Sequence, residues 1–223
     1  SQKFQKEAVV DLKLINDRSP EEFALWTKDI NLALGTNLST TPANYVGKQP
    51  KLKPLQVIQT TQVTNEDATF TVTLSSQKKF ESGDLLAIYP ANDHRERLYS
   101  IGKVNGKMQL VVKLHEMGLG SQFLHQLQAN EAIQARIVKN KNFHFPKQAK
   151  EVICIANGTG IAPFLGMIDN NTSGVPLRIY AGFRHKNTTT QTYQSTFEQA
   201  ITSKKLTSYQ LAFSREENKQ YVM

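Results

Sequence analysis

Cysteine is nearly absent: only Cys154 carries a thiol among 223 residues. That excludes an internal disulfide and leads us to expect a reducing, cytoplasmic setting. No apolar run approaches the roughly eighteen residues of a membrane-spanning helix, and the polar start gives no sign of a signal peptide. The five histidines, His94, His115, His125, His144 and His185, have neither metal-ligand spacing nor a cysteine partner, so no metal is expected. His144, between Phe143 and Phe145, reads as a packing residue at a domain junction. No Ser-His-Asp or paired-carboxylate arrangement can be argued, and there is no internal repeat or low-complexity tract. Charge is not lacking. The formal net charge is +8, but the lysines are scattered without an aromatic–basic platform, which counts against nucleic acid as a partner. A phosphorylated cofactor or an acidic protein suits the charge equally well. With 39% hydrophobic and 21% charged residues, the chain has material for one large or two small cores.

The pattern changes twice along the chain. Residues 8–15 read as a short strand. Ser19-Pro20-Glu21-Glu22 is a capping box with proline at the first helical position, and Phe23, Trp26, Ile30 and Leu34 follow at helical spacing until Gly35 ends the helix. Residues 1–35 therefore read either as the last strand and helix of a flavodoxin-type domain or as a helix packing on the domain that follows. Residues 36–54, punctuated by Pro42, Gly47, Pro50 and Pro54, read as a linker. Six short strands follow, at 55–60, 69–74, 85–89, 98–101, 108–114 and 132–138. Their alternation and the scarcity of helix predict a small antiparallel β-barrel over 55–147. From residue 148 the order becomes strand (152–156), helix (161–168), strand (177–183), helix (about 193–203) and strand (209–213), which predicts an α/β domain with a parallel sheet.

The stretch 151–167, EVICIANGTGIAPFLGM, concentrates the chemistry. A β-branched buried strand runs into Asn157-Gly158-Thr159-Gly160 and then into a helix with Pro163 in its first turn. Such a turn leaves backbone N–H groups free to face a phosphate. No Lys-Ser/Thr follows Gly160, so it is not a P-loop, and Pro163 stands where the dinucleotide fingerprint has its third glycine. Elsewhere, Arg97-Leu98-Tyr99-Ser100 offers a guanidinium for a pyrophosphate, a ring for stacking and a hydroxyl for hydrogen bonding. Gly118-Leu119-Gly120-Ser121 precedes an apolar helix start at Phe123-Leu124. Cys154, inside a buried strand, reads as structural.

Taken in this order, GTGIAPFLG, Arg-x-Tyr-Ser and Gly-x-x-Ser resemble the ferredoxin–NADP reductase family, and within it the diflavin reductases. The resemblance covers residues 54–223. It implies a barrel that binds FAD followed by an NADP-binding α/β domain, with an incomplete parallel sheet. Arg97 would meet the FAD pyrophosphate, Tyr99 would stack on the isoalloxazine beside Leu98, and Ser100 would hydrogen-bond near N5 as the catalytic residue. Gly118, Leu119, Gly120 and Ser121 would meet the diphosphate. Gly158, Thr159 and Gly160 would hold the NADPH pyrophosphate, with Arg184 as a further phosphate contact. Ser214, Arg215, Lys219 and Tyr221 would form the 2′-phosphate site, although the Ser-to-Lys spacing is one residue shorter than in diflavin reductases. The implied activity passes hydride from NADPH to FAD and then single electrons to a carrier: an FMN domain, flavodoxin, ferredoxin or haemoprotein. FMN itself is expected only if a flavodoxin-like domain is present.

Two departures modify that expectation. The long helical insertion of diflavin reductases between the Gly-Asp-x-x-x-x-Tyr-Pro strand and Arg-x-Tyr-Ser is missing between Pro90 and Arg97. The sequence also stops at Met223, before the Cys-Gly strand and terminal aromatic segment of the family, so the chain reads as a fragment. A sulfite reductase flavoprotein is the first parent to consider, and a stand-alone ferredoxin or flavodoxin reductase the second. A truncated module that binds FAD or nucleotide without turnover is the reading from another class. Nucleic-acid binding by the barrel would instead predict salt-dependent binding to single strands and no flavin.

Overall fold

The computed structural model describes residues 20–38, 51–64, 67–90 and 96–222. The expected strand at 8–15, Ser19, His94 and residues 39–50 of the expected linker lie outside them. The chain divides into two compact units, Ser1–Gln49 and Pro50–Met223. In the first, α1 (Pro20–Leu34) ends at Gly35, whose φ of +61° suits a glycine C-cap. The Thr36 N–H returns to the Asn31 carbonyl at 3.2 Å, the six-to-one bond of a Schellman ending.

The second unit begins with seven antiparallel strands: β1 (Lys53–Thr60), β2 (Thr69–Ser75), β3 (Leu85–Ile88), β4 (Arg97–Ser100), β5 (Gly102–Val104), β6 (Lys107–Lys113) and β7 (Ala132–Val138). Their order in the sheet is β4-β3-β7-β1-β2-β6-β5. The two edge strands, β4 and β5, are consecutive in the chain and separated only by Ile101. One extended segment thus pairs with both ends of the sheet and turns it back on itself as a nearly closed barrel. Ile101 is fully buried, and its N–H and carbonyl bond Asp84 O and Gly83 N, each at 2.9 Å. Val57, Val72, Leu74, Leu86, Met108 and Leu110, all fully buried, fill the interior from alternate positions. Leu124 joins them from α2 (Leu119–Gln126), which follows β6.

Beyond a short 3₁₀ turn at Lys141–Phe143, the chain forms a three-stranded parallel sheet of β8 (Val152–Asn157), β9 (Leu177–Phe183) and β10 (Ser208–Phe213), in the order β10-β9-β8. The crossovers are α3 (Ala162–Asp169) and α4 (Thr188–Thr202). Consecutive strands step in one direction, so right-handed crossovers put both helices on one face. Cys154, Ala156, Leu177, Ile179 and Ala181 are buried there among Phe164, Met167, Tyr193 and Phe197. Ile153 and Ile155, on the opposite face of β8, are 57% and 59% exposed.

Barrel and parallel sheet meet where backbones come into contact. A Cβ on Gly102 would lie 2.1 Å from the Ala162 carbonyl oxygen, and one on Gly166 2.3 Å from both Lys103 N and Ser82 Oγ. Only glycine permits β5 to lie this close to α3. The Asn105 N–H donates to Asp169 Oδ2 at 2.7 Å, and the Asn170 amide donates to the Lys103 carbonyl beside it. Both sheets lie in the one compact unit Pro50–Met223.

Three elements differ from expectation. β5 is an additional strand, too short and too polar to announce itself by alternation. α2 starts at Leu119 rather than at Phe123. α4 starts at Thr188, about a turn earlier than expected, because Asn187 and Thr190 form a reciprocal cap (Thr190 N–H to Asn187 Oδ1 and Asn187 N–H to Thr190 Oγ1, both 2.9 Å). Threonine-rich sequence is a poor helix former, and here the cap overrides propensity.

Candidate functional site

β4 pairs with β3 in the register Ile88↔Arg97, Leu86↔Tyr99 and Leu85↔Ser100. Strand alternation puts Arg97 and Tyr99 on one face, both half-buried, and Leu98 and Ser100 on the other, both exposed. Arg97 and Tyr99 face the first turn of α2. A Cβ on Gly120 would come within 2.5 Å of Tyr99 Oη and 3.1 Å of Arg97 Cγ. The two signals at 97–100 and 118–121 thus form one corner, with a glycine where nothing larger fits. Burial raises the Tyr99 phenol pKa, and the neighbouring Arg97 charge partly offsets this.

Gly118 is the N-cap of α2 and supplies no side-chain cap, and the first turn holds no acid. The N–H groups there remain able to face an anion. Ser121 is buried, and its hydroxyl is used inside the turn: it accepts from the His115 N–H and donates to the Gly118 carbonyl, each at 3.1 Å. Ser121 shapes the corner from within, while Leu119 stands 55% exposed at its rim.

Beneath β4 lies a charged centre that the sequence reading missed. Asp84 is fully buried, and its carboxylate accepts from Lys139 Nζ (2.8 Å), His144 Nε2 (2.7 Å) and the N–H groups of Glu81 and Asn140 (3.0 Å each). Burial pushes its pKa up, but the bonds from Lys139, His144 and the two backbone donors outweigh it, and the carboxyl is held at about 2. His144, expected to be a packing residue, is a hydrogen-bonding partner of this acid. Its neighbour Phe143 supplies the packing against Phe164, at a ring-centroid separation of 5.7 Å.

On the parallel sheet, Gly158–Ile161 forms a 3₁₀ turn ahead of α3, with Pro163 in the helix's first turn. Gly158 has φ +52°, and open space surrounds the Cβ positions of both Gly158 and Gly160. A cavity of about 250 Å³ opens at these carboxyl ends of the strands, lined by Gly158, Thr159, Arg184, Tyr193 and, from the barrel, Asp67 and Lys113. Lys113 and Asp67 reach it only through the three-dimensional fold, and no local sequence signal marks them. Ser214 and Arg215 continue β10 beside the end of β9. Ser214 N–H and Oγ–H donate to the Phe183 carbonyl (3.0 and 3.3 Å), and Arg215 N–H donates to the Arg184 carbonyl (2.9 Å). The Gln220 N–H returns to the Phe213 carbonyl at 2.9 Å, which folds the 214–220 segment back. Lys219 and Tyr221 are exposed on that segment. Among the described residues, neither Arg184 nor Arg215 has an acidic ion-pair partner. Cys154 lies outside this site, buried in β8, and burial pushes its thiol up to about 12.

With this geometry in place, the chain can be compared with known proteins. Residues 54–141, the barrel and the start of the junction, match the family model described as the oxidoreductase FAD-binding domain. Over 91 residues the chain is 36% identical to NADPH–cytochrome P450 reductase of Salmo trutta, a match that spans 37% of this chain and 15% of that protein. Among solved structures, a ferredoxin–NADP+ reductase of Plasmodium falciparum with 2′P-AMP superposes with a TM-score of 0.60 at 18% identity, covering 77% of this chain and 76% of that one. A Neisseria gonorrhoeae ferredoxin–NADP+ reductase with bound FAD and NADP gives 0.59 at 16% identity, covering 78% and 72%. An Amycolatopsis cytochrome P450 reductase gives 0.58 at 18% identity, covering 76% and 55%. The barrel is thus similar to FAD-binding oxidoreductase domains. Together with the parallel sheet it has the fold of ferredoxin–NADP+ reductases. Among the described residues no helix is long and apolar enough to cross a membrane.

Proposed function

We infer that this chain is the FAD- and NADPH-binding part of a flavin oxidoreductase that delivers electrons to a second carrier. The observation that carries the reading is the corner at Gly120, where the Arg97–Tyr99 strand meets the uncapped start of α2 inside the stretch that matches the FAD-binding family. In this reading Arg97 and the first-turn N–H groups of α2 hold the FAD diphosphate, and Tyr99 and Ser100 lie along the isoalloxazine. Gly158, Thr159, Gly160, Arg184 and Lys113 receive the NADPH pyrophosphate, and Ser214, Arg215, Lys219 and Tyr221 receive the 2′-phosphate. The bound pair supplies hydride transfer from nicotinamide to flavin. The protein's part is to orient both rings, to present the Ser100 hydroxyl at the flavin edge and to exclude water between them.

The acceptor is a one-electron carrier. The likeness to NADPH–cytochrome P450 reductase supports an FMN domain in a diflavin protein, of which a sulfite reductase flavoprotein is one kind. The superposition on the Plasmodium ferredoxin–NADP+ reductase, over 77% of this chain and 76% of that one, supports the second reading, a stand-alone ferredoxin or flavodoxin reductase. A cytoplasmic setting agrees with the single buried thiol.

The test is direct. The purified chain is incubated with FAD, desalted, and its visible spectrum recorded before and after anaerobic NADPH. Retained flavin is expected, with Arg97→Ala and Ser121→Ala both losing it; a colourless folded protein overturns the reading. Bleaching by NADPH shows that the chain transfers hydride. Retention without bleaching leaves it a binding module.

A further inference from the structure

We propose that Glu216 is a positioning residue for the nucleotide-phosphate site, a tether that joins the two strand-end loops carrying Arg184 and Arg215 while keeping its own charge off both. The proposal rests on the 2′-phosphate reading of Ser214 and Arg215. An acid directly after Arg215 is a poor neighbour for a phosphate-binding guanidinium, because it invites a competing ion pair and repels the ligand. In the fold Glu216 is turned to other partners than Arg215. Its Oε1 accepts from the Lys186 N–H at 2.8 Å, with His185 Nδ1 3.7 Å away. The Lys186 ammonium in turn sits 5.6 Å over the Phe213 ring. Together with the bonds from Ser214 to Phe183 and from Arg215 to Arg184, the side chain stitches residues 183–186 to residues 213–216. Arg184 and Arg215 are thereby held on adjoining loops with no acid paired to either among the described residues. The carboxylate is used as a hydrogen-bond acceptor for backbone, a task that the amide oxygen of glutamine performs as well.

Substitution separates tether from charge. In the full chain, binding of 2′-phospho-AMP and of AMP is measured by titration calorimetry for the parent, Glu216→Ala, Glu216→Gln and Arg215→Ala. Glu216→Ala is expected to weaken 2′-phospho-AMP by about five- to tenfold, the scale of one ordinary hydrogen bond lost, with AMP within twofold of the parent. Glu216→Gln is expected to restore parental binding. If both Glu216 variants bind 2′-phospho-AMP more tightly, the side chain acts by charge and the tether is overturned; unchanged binding in Glu216→Ala overturns it equally. Arg215→Ala decides the underlying reading on its own. If it weakens the two ligands alike, or neither, the 2′-phosphate assignment falls and the tether falls with it. If it discriminates between them while Glu216→Ala does nothing, only the tether fails.

Discussion

Gly120 and Gly160 show how one residue type serves opposite needs. At Gly120 the missing side chain makes room for the protein itself, since Tyr99 Oη and Arg97 Cγ already occupy the place of a Cβ. At Gly160 nothing lies within 4 Å, so the space is open to a ligand. Gly160→Ala should therefore leave the denaturation midpoint unchanged while weakening NADPH. Gly120→Ala should displace Tyr99 and Arg97 and reduce flavin retention, although alanine is intrinsically the better helix former by about 1 kcal/mol. Flavin occupancy after desalting checks the second variant and nucleotide titration the first. Cys154 gives a further residue-scale expectation. Its thiol is buried and titrates at about 12, so a disulfide reagent at neutral pH should label it only after denaturant is added. Labelling of the native chain at the rate of a free thiol would contradict the burial.

At the scale of elements, the contact of β5 with α3 is the tightest constraint on the site, because it fixes the nucleotide turn relative to the barrel. Gly166→Ala places a methyl group against Lys103 N and Ser82 Oγ, where backbone must move. We expect a loss of about 1–3 kcal/mol in urea unfolding, the opposite sign from helix propensity alone. The Asp84 centre makes a pH prediction. Its folded pKa, about 2, lies below the unfolded value of about 3.9. Its stabilisation is therefore complete above pH 4 and drains away as the pH falls towards 2. Asp84→Asn should unfold at lower denaturant than the parent at pH 7, and the gap should narrow in acid. A gap independent of pH would show that the charge is immaterial.

These elements also mark what the sequence could and could not reveal. The longer barrel strands and the parallel strands were legible because alternation and β-branched runs are local signals. β5 was not, since three residues containing Gly102 and Lys103 carry no period. The start of α4 was hidden by threonines whose cap works only once Asn187 is turned to meet Thr190. Arg-x-Tyr-Ser and Gly-x-x-Ser could be read as motifs, but not that they share one corner. Lys113 and Asp67 could not be found at all, because they join the cavity through barrel closure and domain packing.

For the whole molecule, the second unit holds both sheets and the whole proposed site, so the chain from residue 50 onward should fold and retain FAD without residues 1–49. A loss of flavin binding in that shortened chain would place part of the site in the first unit. The seam of the barrel has a consequence for how that unit melts. Residues 97–104 are one ribbon of backbone that carries the proposed flavin contacts at one end and the glycine pressed against α3 at the other. A cofactor gripping Arg97 and Tyr99 holds the ribbon shut, and a shut ribbon keeps α3 docked. Flavin should therefore raise the melting temperature of barrel and parallel sheet together, in a single transition, and withdrawing it should loosen first the joint between the sheets.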